Sequence, residues 1–451
     1  MVFGLWLGLP QVAQAQPPLA EQFLRQPTAS SPAVFWGAIG HRWERYQALE
    51  LGNPLDAYPE ELPLIWVGPQ TELGFGTDES QRIGAQAMIR SAESWFWYGA
   101  SVAVSTDFSD AQVQPSELVA GLRHGSWSFW GGLRSRWIGN GRYGNLLYGD
   151  QIKPIPSVVL DWTQPGRAKW GRLYAELGLG QMMYPRGDVN RPLLLHMDFR
   201  YQPLSWLELS ATRLSLMGGE GRPLPSLGQM ILPSDPHIEN DPNQLLPDQD
   251  ELACLEAYGR FAFDKVGPVT GLEIWFQYGA EDAIQKRLGV LPYVSLAGVA
   301  SMGGLSLHAQ EWRLSFEAAD IVDDRFRWYH GHRIYHEGFS VEEEWMGYPS
   351  GGDAYSWAMG LGWFQANTGA ELRYHNIERI GAIQSVNGQS YALMQNEVQR
   401  GIGGEYWHSI GQNRLSLQAN IAQINHAEFI PHNRQREGRM TFLFSRAWEL
   451  P

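Results

Sequence analysis

From about residue 60 onward, apolar and polar positions alternate in segments of roughly ten residues, the length and period of a strand with one dry and one wet face. The cleanest is RLSLQANIAQI, where Leu415, Leu417, Ala419 and Ile421 share one face and Arg414, Ser416, Gln418 and Asn420 the other. Leu173, Ala175, Leu177 and Leu179 lie opposite Arg172, Tyr174 and Glu176 in the same way, and Ala370, Leu372 and Tyr374 opposite Glu371, Arg373 and His375. A slip of one residue would exchange the faces, so register is strongly specified.

The connections predict how the strands are arranged. Short turns at AES near 92, HGS near 125, YQPLS near 203, SMGG near 302, ANTG near 367 and SIGQN near 411 alternate with longer excursions. The excursions fall near 107–115, 138–156, 181–191, 218–250, 320–353, 379–390 and 426–438. Such asymmetry predicts an all-β, closed transmembrane antiparallel β-barrel of about 18 strands over 61–451, trimmed on the periplasmic side and elaborated on the outer side. Closure in lipid satisfies every backbone group and uses the apolar face as the lipid contact, whereas an open sheet of this kind would leave a raw edge. Trp95, Trp127, Trp170, Trp206 and Trp407 each sit within a residue or two of a short turn, as an interfacial aromatic girdle would; the alternative is that they are core tryptophans of a soluble sandwich.

Composition agrees. Charged residues are 18 %, against about 25 % in average soluble domains, while 50 Gly, 20 Trp, 18 Tyr and 18 Phe favour strands over helices. A net charge of -14 with scattered Lys and Arg argues against nucleic acid. Residues 1–15 carry a short apolar core ending Ala13-Gln14-Ala15, read as a truncated signal peptide cut before Gln16. Residues 16–60 are proline-rich, with Gly40 to Leu51 compatible with a short helix; this irregular or partly helical segment is expected to be a periplasmic N-terminal arm or plug. The expected location is the outer membrane of a Gram-negative bacterium, with outer-membrane lipids and lipopolysaccharide as partners.

The segment Trp130 to Pro156, WGGLRSRWIGNGRYGNLLYGDQIKPIP, concentrates arginines, aromatics and glycines on the elaborated side. Arg134, Arg136 and Arg142 suit carboxylated sugars, and Trp137, Tyr143 and Tyr148 offer faces for sugar rings. The alternative, and the plainer reading, is an inward-folded constriction whose arginines pair with Asp and Glu of the barrel interior.

Here the chain resembles the capsule assembly protein Wzi family. The resemblance rests on Gly125-Ser126-Trp127, Trp137-Ile138-Gly139-Asn140-Gly141, Asn145-Leu146-Leu147 and Lys153-Pro154-Ile155-Pro156. Further matches are Gly219-Glu220-Gly221-Arg222-Pro223 with Asn243-Gln244-Leu245, and the excursion WYHGHRIYHEGF…MGYPSGGDAYSWAMGLGW. It implies an outer-membrane barrel that binds extracellular or capsular polysaccharide and takes part in capsule attachment, with Trp328 and Tyr335 joining the candidate sugar contacts. The alternatives are a porin-like diffusion channel for sugars or small acids and a barrel enzyme modifying lipid or glycan.

Other chemistry is weakly supported. His330, His332 and His336 with Glu337 and Glu342 to Glu344 supply metal-ligand types but no assured rigid set. The acidic 218–250 excursion (Arg222, Asp235, His237, Glu239, Asp241, Asp248, Asp250) is read as a solvated outer loop rather than a divalent-cation site. Common hydrolase and nucleotide motifs are missing, and His408-Ser409 sits at a short turn, so no enzyme, metal or cofactor is expected. Cys254 reads as a small packed hydrophobe.

Overall fold

The computed structural model describes residues 64–449 except 76–81, 93–95, 107–110, 135, 150–151, 165–169, 232–246, 267, 289–290, 323–327, 330–331, 333, 342–343, 366, 381–382, 387–388, 393–394 and 411–412. The expectations for residues 1–60, for Trp95, for Asp235, His237, Glu239, Asp241 and Asn243-Gln244-Leu245, and for His330, Glu342 and Glu343 lie outside the described residues.

The strands run β1 (Leu64–Phe75), β2 (Arg82–Ala92), β3 (Phe96–Thr106), β4 (Ala111–His124), β5 (Trp127–Leu133), β6 (Ser157–Thr163), β7 (Arg172–Gln181), β8 (Leu193–Leu204) and β9 (Leu207–Met217). A one-turn helix α1 (Leu227–Ile231) precedes β10 (Gln249–Val266), β11 (Val269–Leu288), β12 (Leu291–Ala309) and β13 (Trp312–Ile321). Two short hairpins, β14 (Ser340–Val341) with β15 (Glu344–Trp345) and β18 (Ile383–Val386) with β19 (Gln389–Ala392), interrupt the series β16 (Ala354–Gln365), β17 (Thr368–Arg379), β20 (Glu397–Ile410), β21 (Asn413–Asn425) and β22 (Arg434–Glu449). Apart from those hairpins, all described strands belong to one 18-stranded antiparallel sheet in which sequence neighbours pair. The first strand also pairs with the last, from Leu64↔Glu449 to Phe75↔Gly438.

The faces are inverted relative to a soluble protein. On β13, Trp312, Leu314 and Phe316 are exposed while Arg313, Ser315 and Glu317 are buried, and on β16 Tyr355, Trp357, Met359 and Leu361 are exposed while Ser356, Ala358, Gly360 and Gly362 are buried. Leu415 and Leu417 are exposed and Ser416 and Gln418 buried, as the alternation requires. Such a sheet is stable only if something apolar covers its outside.

The predicted asymmetry of the connections is present in outline, with two corrections. The 107–115 excursion is shorter than expected, because Ala111 to Pro115 already pair with β3 as the first residues of β4. Ser301-Met302-Gly303-Gly304 is not a turn but lies inside β12, which turns at Gln310 and Glu311 into β13. A Cβ on Gly304 would meet the indole of Trp275 on the adjacent strand, and Gly303 sits against Phe276, so these glycines admit neighbouring rings rather than reverse the chain. The girdle is partly upheld: Trp127 and Trp170 are exposed, and the pairs Trp127–Trp162 (6.3 Å), Trp170–Tyr201 (6.5 Å) and Trp206–Phe261 (5.3 Å) lie along the short-turn end. Trp407 is instead buried against Gly369, on the polar face.

Candidate functional site

Three of the long connections fold onto the sheet. Residues 136–156, 182–192 and 328–350 pack onto its polar face, forming one apolar cluster in which Leu146, Tyr148, Ile155, Tyr329, Phe339 and Met346 are almost wholly buried. The strands prepare for this near their long-loop ends, where Leu194, Leu214, Leu216, Leu252 and Ile321 replace polar residues on the same face. Cys254 is part of this cluster, as expected of a packed thiol.

An irregular segment that enters a protein interior must find partners for its backbone groups. Here the strands supply them. The N–H groups of Arg142 and Tyr143 donate to the Glu317 carboxylate at 2.6 and 3.1 Å, and Trp275 Nε1 and Tyr348 Oη donate to the same group at 2.9 and 3.1 Å. The Asn140 N–H donates to Glu256 at 2.7 Å, and Leu146 N–H to Gln277 Oε1 at 2.9 Å. Gly139, at φ +122°, stands where a Cβ would run into Asn145 and Gln277, so glycine is required at that close approach.

The arginines take the inward course. Arg136 pairs with Glu176 and donates to His196 Nε2 at 2.6 Å, while Tyr174 Oη donates to Glu176 at 2.8 Å. Burial acts against the Arg136 charge, but Glu176 more than offsets it and holds the guanidinium above its ordinary pKa. Arg142 donates to Glu371 at 3.1 Å, and Arg313 meets the same carboxylate at 2.7 Å. Arg134 and Arg136 lie over the Trp130 ring at 5.2 and 5.6 Å. Among the sugar-contact candidates, Arg134, Arg136, Trp137, Tyr143, Tyr148, Trp328 and Tyr335 are each at most 8 % exposed, and Arg142 is partly exposed. Burial pushes the Tyr148 phenol up to about 12. The structure thus brings these residues into one packed layer rather than onto an open surface.

A second set of contacts ties the loops to one another. The Arg186 guanidinium donates to Asp188 at 2.7 and 2.8 Å, to the Gly338 carbonyl at 3.0 Å and to the Ser340 carbonyl at 3.1 Å. Glu337 returns the contact: its N–H donates to Asp188 at 2.8 Å and its carboxylate accepts from Gly187 N–H. Partial burial pushes the Asp188 carboxyl up, but Arg186 and the Glu337 and Val189 N–H groups outweigh it and leave the pKa below its usual value. Tyr335 Oη donates to the Gly218 carbonyl at 2.9 Å, adding the β9–β10 connection.

Sequence reading missed Glu256, Gln277 and Glu317 and placed Glu371 on the wet face without its arginine partners, although wet-face carboxylates opposite an arginine- and glycine-rich excursion were a usable signal. It also passed over Arg186 and Asp188. Of the metal candidates, His332 Nδ1 accepts from the N–H groups of Ile334 and Tyr335, both at 3.2 Å, and its Nε2 lies 3.5 Å from Asp248. Among the described residues no group of three or more His, Cys, Asp or Glu is placed to hold a metal.

In fold, the chain is similar to Wzi of Escherichia coli, an outer-membrane protein involved in group 1 capsule assembly and a carbohydrate-binding β-barrel. That likeness has a TM-score of 0.65 at 16 % identity and covers 94 % of this chain and 95 % of Wzi. Similarity extends to Pseudomonas aeruginosa OpdQ (TM-score 0.53, 9 % identity, 86 % of this chain and 99 % of that one) and to the Pseudomonas aeruginosa outer membrane protein OprD (0.51, 11 %, 86 % and 94 %). No curated protein matches the chain by sequence. The model of the family described as capsule assembly protein Wzi matches residues 75–401, and the chain belongs to that family.

Proposed function

We propose that this protein is an outer-membrane barrel that binds cell-surface polysaccharide and takes part in capsule assembly and attachment. On this reading the β1–β22 pairing closes the sheet into a barrel of 18 strands, with the polar face as its interior and the long loops outside. The observation that supports it is the packed loop layer: Arg136, Tyr148, Tyr329 and their partners are buried together on the polar face near the long-loop ends of the strands. Family membership supports the same reading.

Residues Arg134, Arg136, Trp137, Arg142, Tyr143, Tyr148, Trp328 and Tyr335 then serve the glycan by shaping the layer from below. Direct contact falls to exposed groups of the same connections, among them Asn190, Arg191, Glu220 and His336. Retention comes from many weak contacts multiplied along a repeating chain, so avidity rather than a deep pocket sets the strength. The role is non-catalytic. Deletion in a capsulated strain, with cell-associated and shed polysaccharide measured separately, tests the proposal: the expected result is release of capsule into the medium, and unchanged retention overturns it. Steady large single-channel openings in a planar bilayer would favour the channel reading.

A further inference from the structure

On the outside of the sheet, one row of directly opposed residues crosses β17, β20, β21 and β22 as Asn376↔Arg400↔Gln423↔Arg436. Arg400, Gln423 and Arg436 are exposed, and Arg400 Nε donates to Asn376 Oδ1 at 3.2 Å. Arg434, also exposed, lies two positions further toward the β21–β22 connection, opposite Asn425. Two positions in the other direction the same face turns apolar, with Ile402 at 55 % and Ile421 at 58 % exposure opposite one another, and Met440 beyond. Directly opposed side chains on one face are close neighbours, and strands lie about 4.8 Å apart, so Arg400 and Arg436 are within about 10 Å of each other with the Gln423 amide between them. On the same face Glu378 is engaged by Asn396 Nδ2 at 2.8 Å.

Guanidinium groups in a row directly above an apolar wall match a phosphate joined to acyl chains. The arginines take the anionic head with paired charge-assisted hydrogen bonds, and the chains continue down the isoleucines. A soluble acidic glycan has no use for the apolar half of this surface. We propose that Arg400, Gln423 and Arg436, with Arg434, bind the phosphate of a phosphorylated glycolipid in the outer leaflet and so fix the barrel's depth and rotation in the membrane. The assignment rests on the outward placement of the long loops proposed above.

The test uses the full chain in neutral detergent, titrated with bis-phosphorylated lipid A, with the same lipid dephosphorylated, and with inorganic phosphate, followed by native mass spectrometry. Binding of the phosphorylated lipid is expected to exceed that of the dephosphorylated form by about tenfold or more, and each arginine replaced by glutamine to cost a similar factor. Arg400→Lys with Arg436→Lys retains most of the affinity. Equal binding by a heat-modifiable Arg400→Gln, Arg436→Gln double variant overturns the site, as does displacement of the lipid by inorganic phosphate at equal concentration. Labelling of Pro431→Cys by a membrane-impermeant maleimide on intact cells checks the orientation separately, since Cys254 is buried. Failure to label overturns the outward placement, and the outer-leaflet assignment with it, whatever the detergent titration gives.

Discussion

Arg136 and Glu176 are 40 positions apart in the chain and form an ion pair in which neither side chain is more than 3 % exposed. One comes from an irregular connection and the other from the middle of β7, so the pair fixes how deep the connection sits against the sheet. Taking two charges out of water is costly, and the pair persists because Tyr174 and His196 complete the hydrogen bonding around it.

Breaking this pair from one side is therefore expected to hurt more than removing it. Glu176→Gln or Arg136→Met alone should cost about 3 to 5 kcal/mol, because a buried charge is left without its partner. The double replacement should recover part of the loss. Urea unfolding followed by heat-modifiability on gels measures both.

Glu317 accepts from two backbone N–H groups, an indole and a phenol. Replacing it with leucine should strand these donors at about 1 to 3 kcal/mol each before relaxation, enough to loosen the Asn140 to Leu146 turn while the strands stay paired. The expected sign is faster proteolysis within residues 136–156 with an unchanged strand signal in circular dichroism. Glu317→Gln, which keeps an acceptor, should lie between the two.

The tie between Arg186, Asp188 and Glu337 should weaken in acid. The Asp188 pKa in the folded chain lies below its ordinary value of 3.8, so its contribution is fully present above that pH and is lost as the pH falls through the lower, folded value. The protection of residues 182–192 against hydrogen exchange, relative to the intrinsic rate at each pH, should be constant in mildly acidic to neutral buffer and fall below about pH 3.8. Asp188→Asn should abolish the acid step.

The exposed apolar face gives a prediction of opposite sign to that for a soluble sheet. Leu314→Arg, at an exposed site, should cost about 2 to 4 kcal/mol for folding into lipid vesicles if it lies near the midplane, and less nearer the interface. In a soluble sandwich an exposed arginine would be nearly neutral. Folding yield into vesicles, compared between Leu314→Arg and Leu314→Ala, distinguishes the two.

Period-two alternation is a local property, and it was legible wherever one face is wet and the other dry: Leu415 to Ile421, Leu372 against Glu371, and the short turns at Gly125 and Asn367. The sequence also carried the choice between open and inward arginines as a choice, because Arg136 and Arg142 suit a sugar acid and a protein carboxylate equally well in chemistry. What it could not carry was distance between remote positions. Gly303 and Gly304 look like a turn until Trp275 and Phe276 are beside them, and Trp407 looks interfacial until its strand parity turns it onto Gly369.

The amino-acid order by itself determined most of the strands and their faces, which follow from side-chain polarity at separations of two residues, and the inequality of the two ends, which follows from the lengths of the connections. Only the tertiary structure decided that the connections at 136–156, 182–192 and 328–350 fold back onto the polar face. That outcome depends on Glu176, Glu256, Glu317 and Glu371 meeting loop donors from 40 to more than 200 residues away, and on buried backbone groups requiring those partners, which no local pattern encodes.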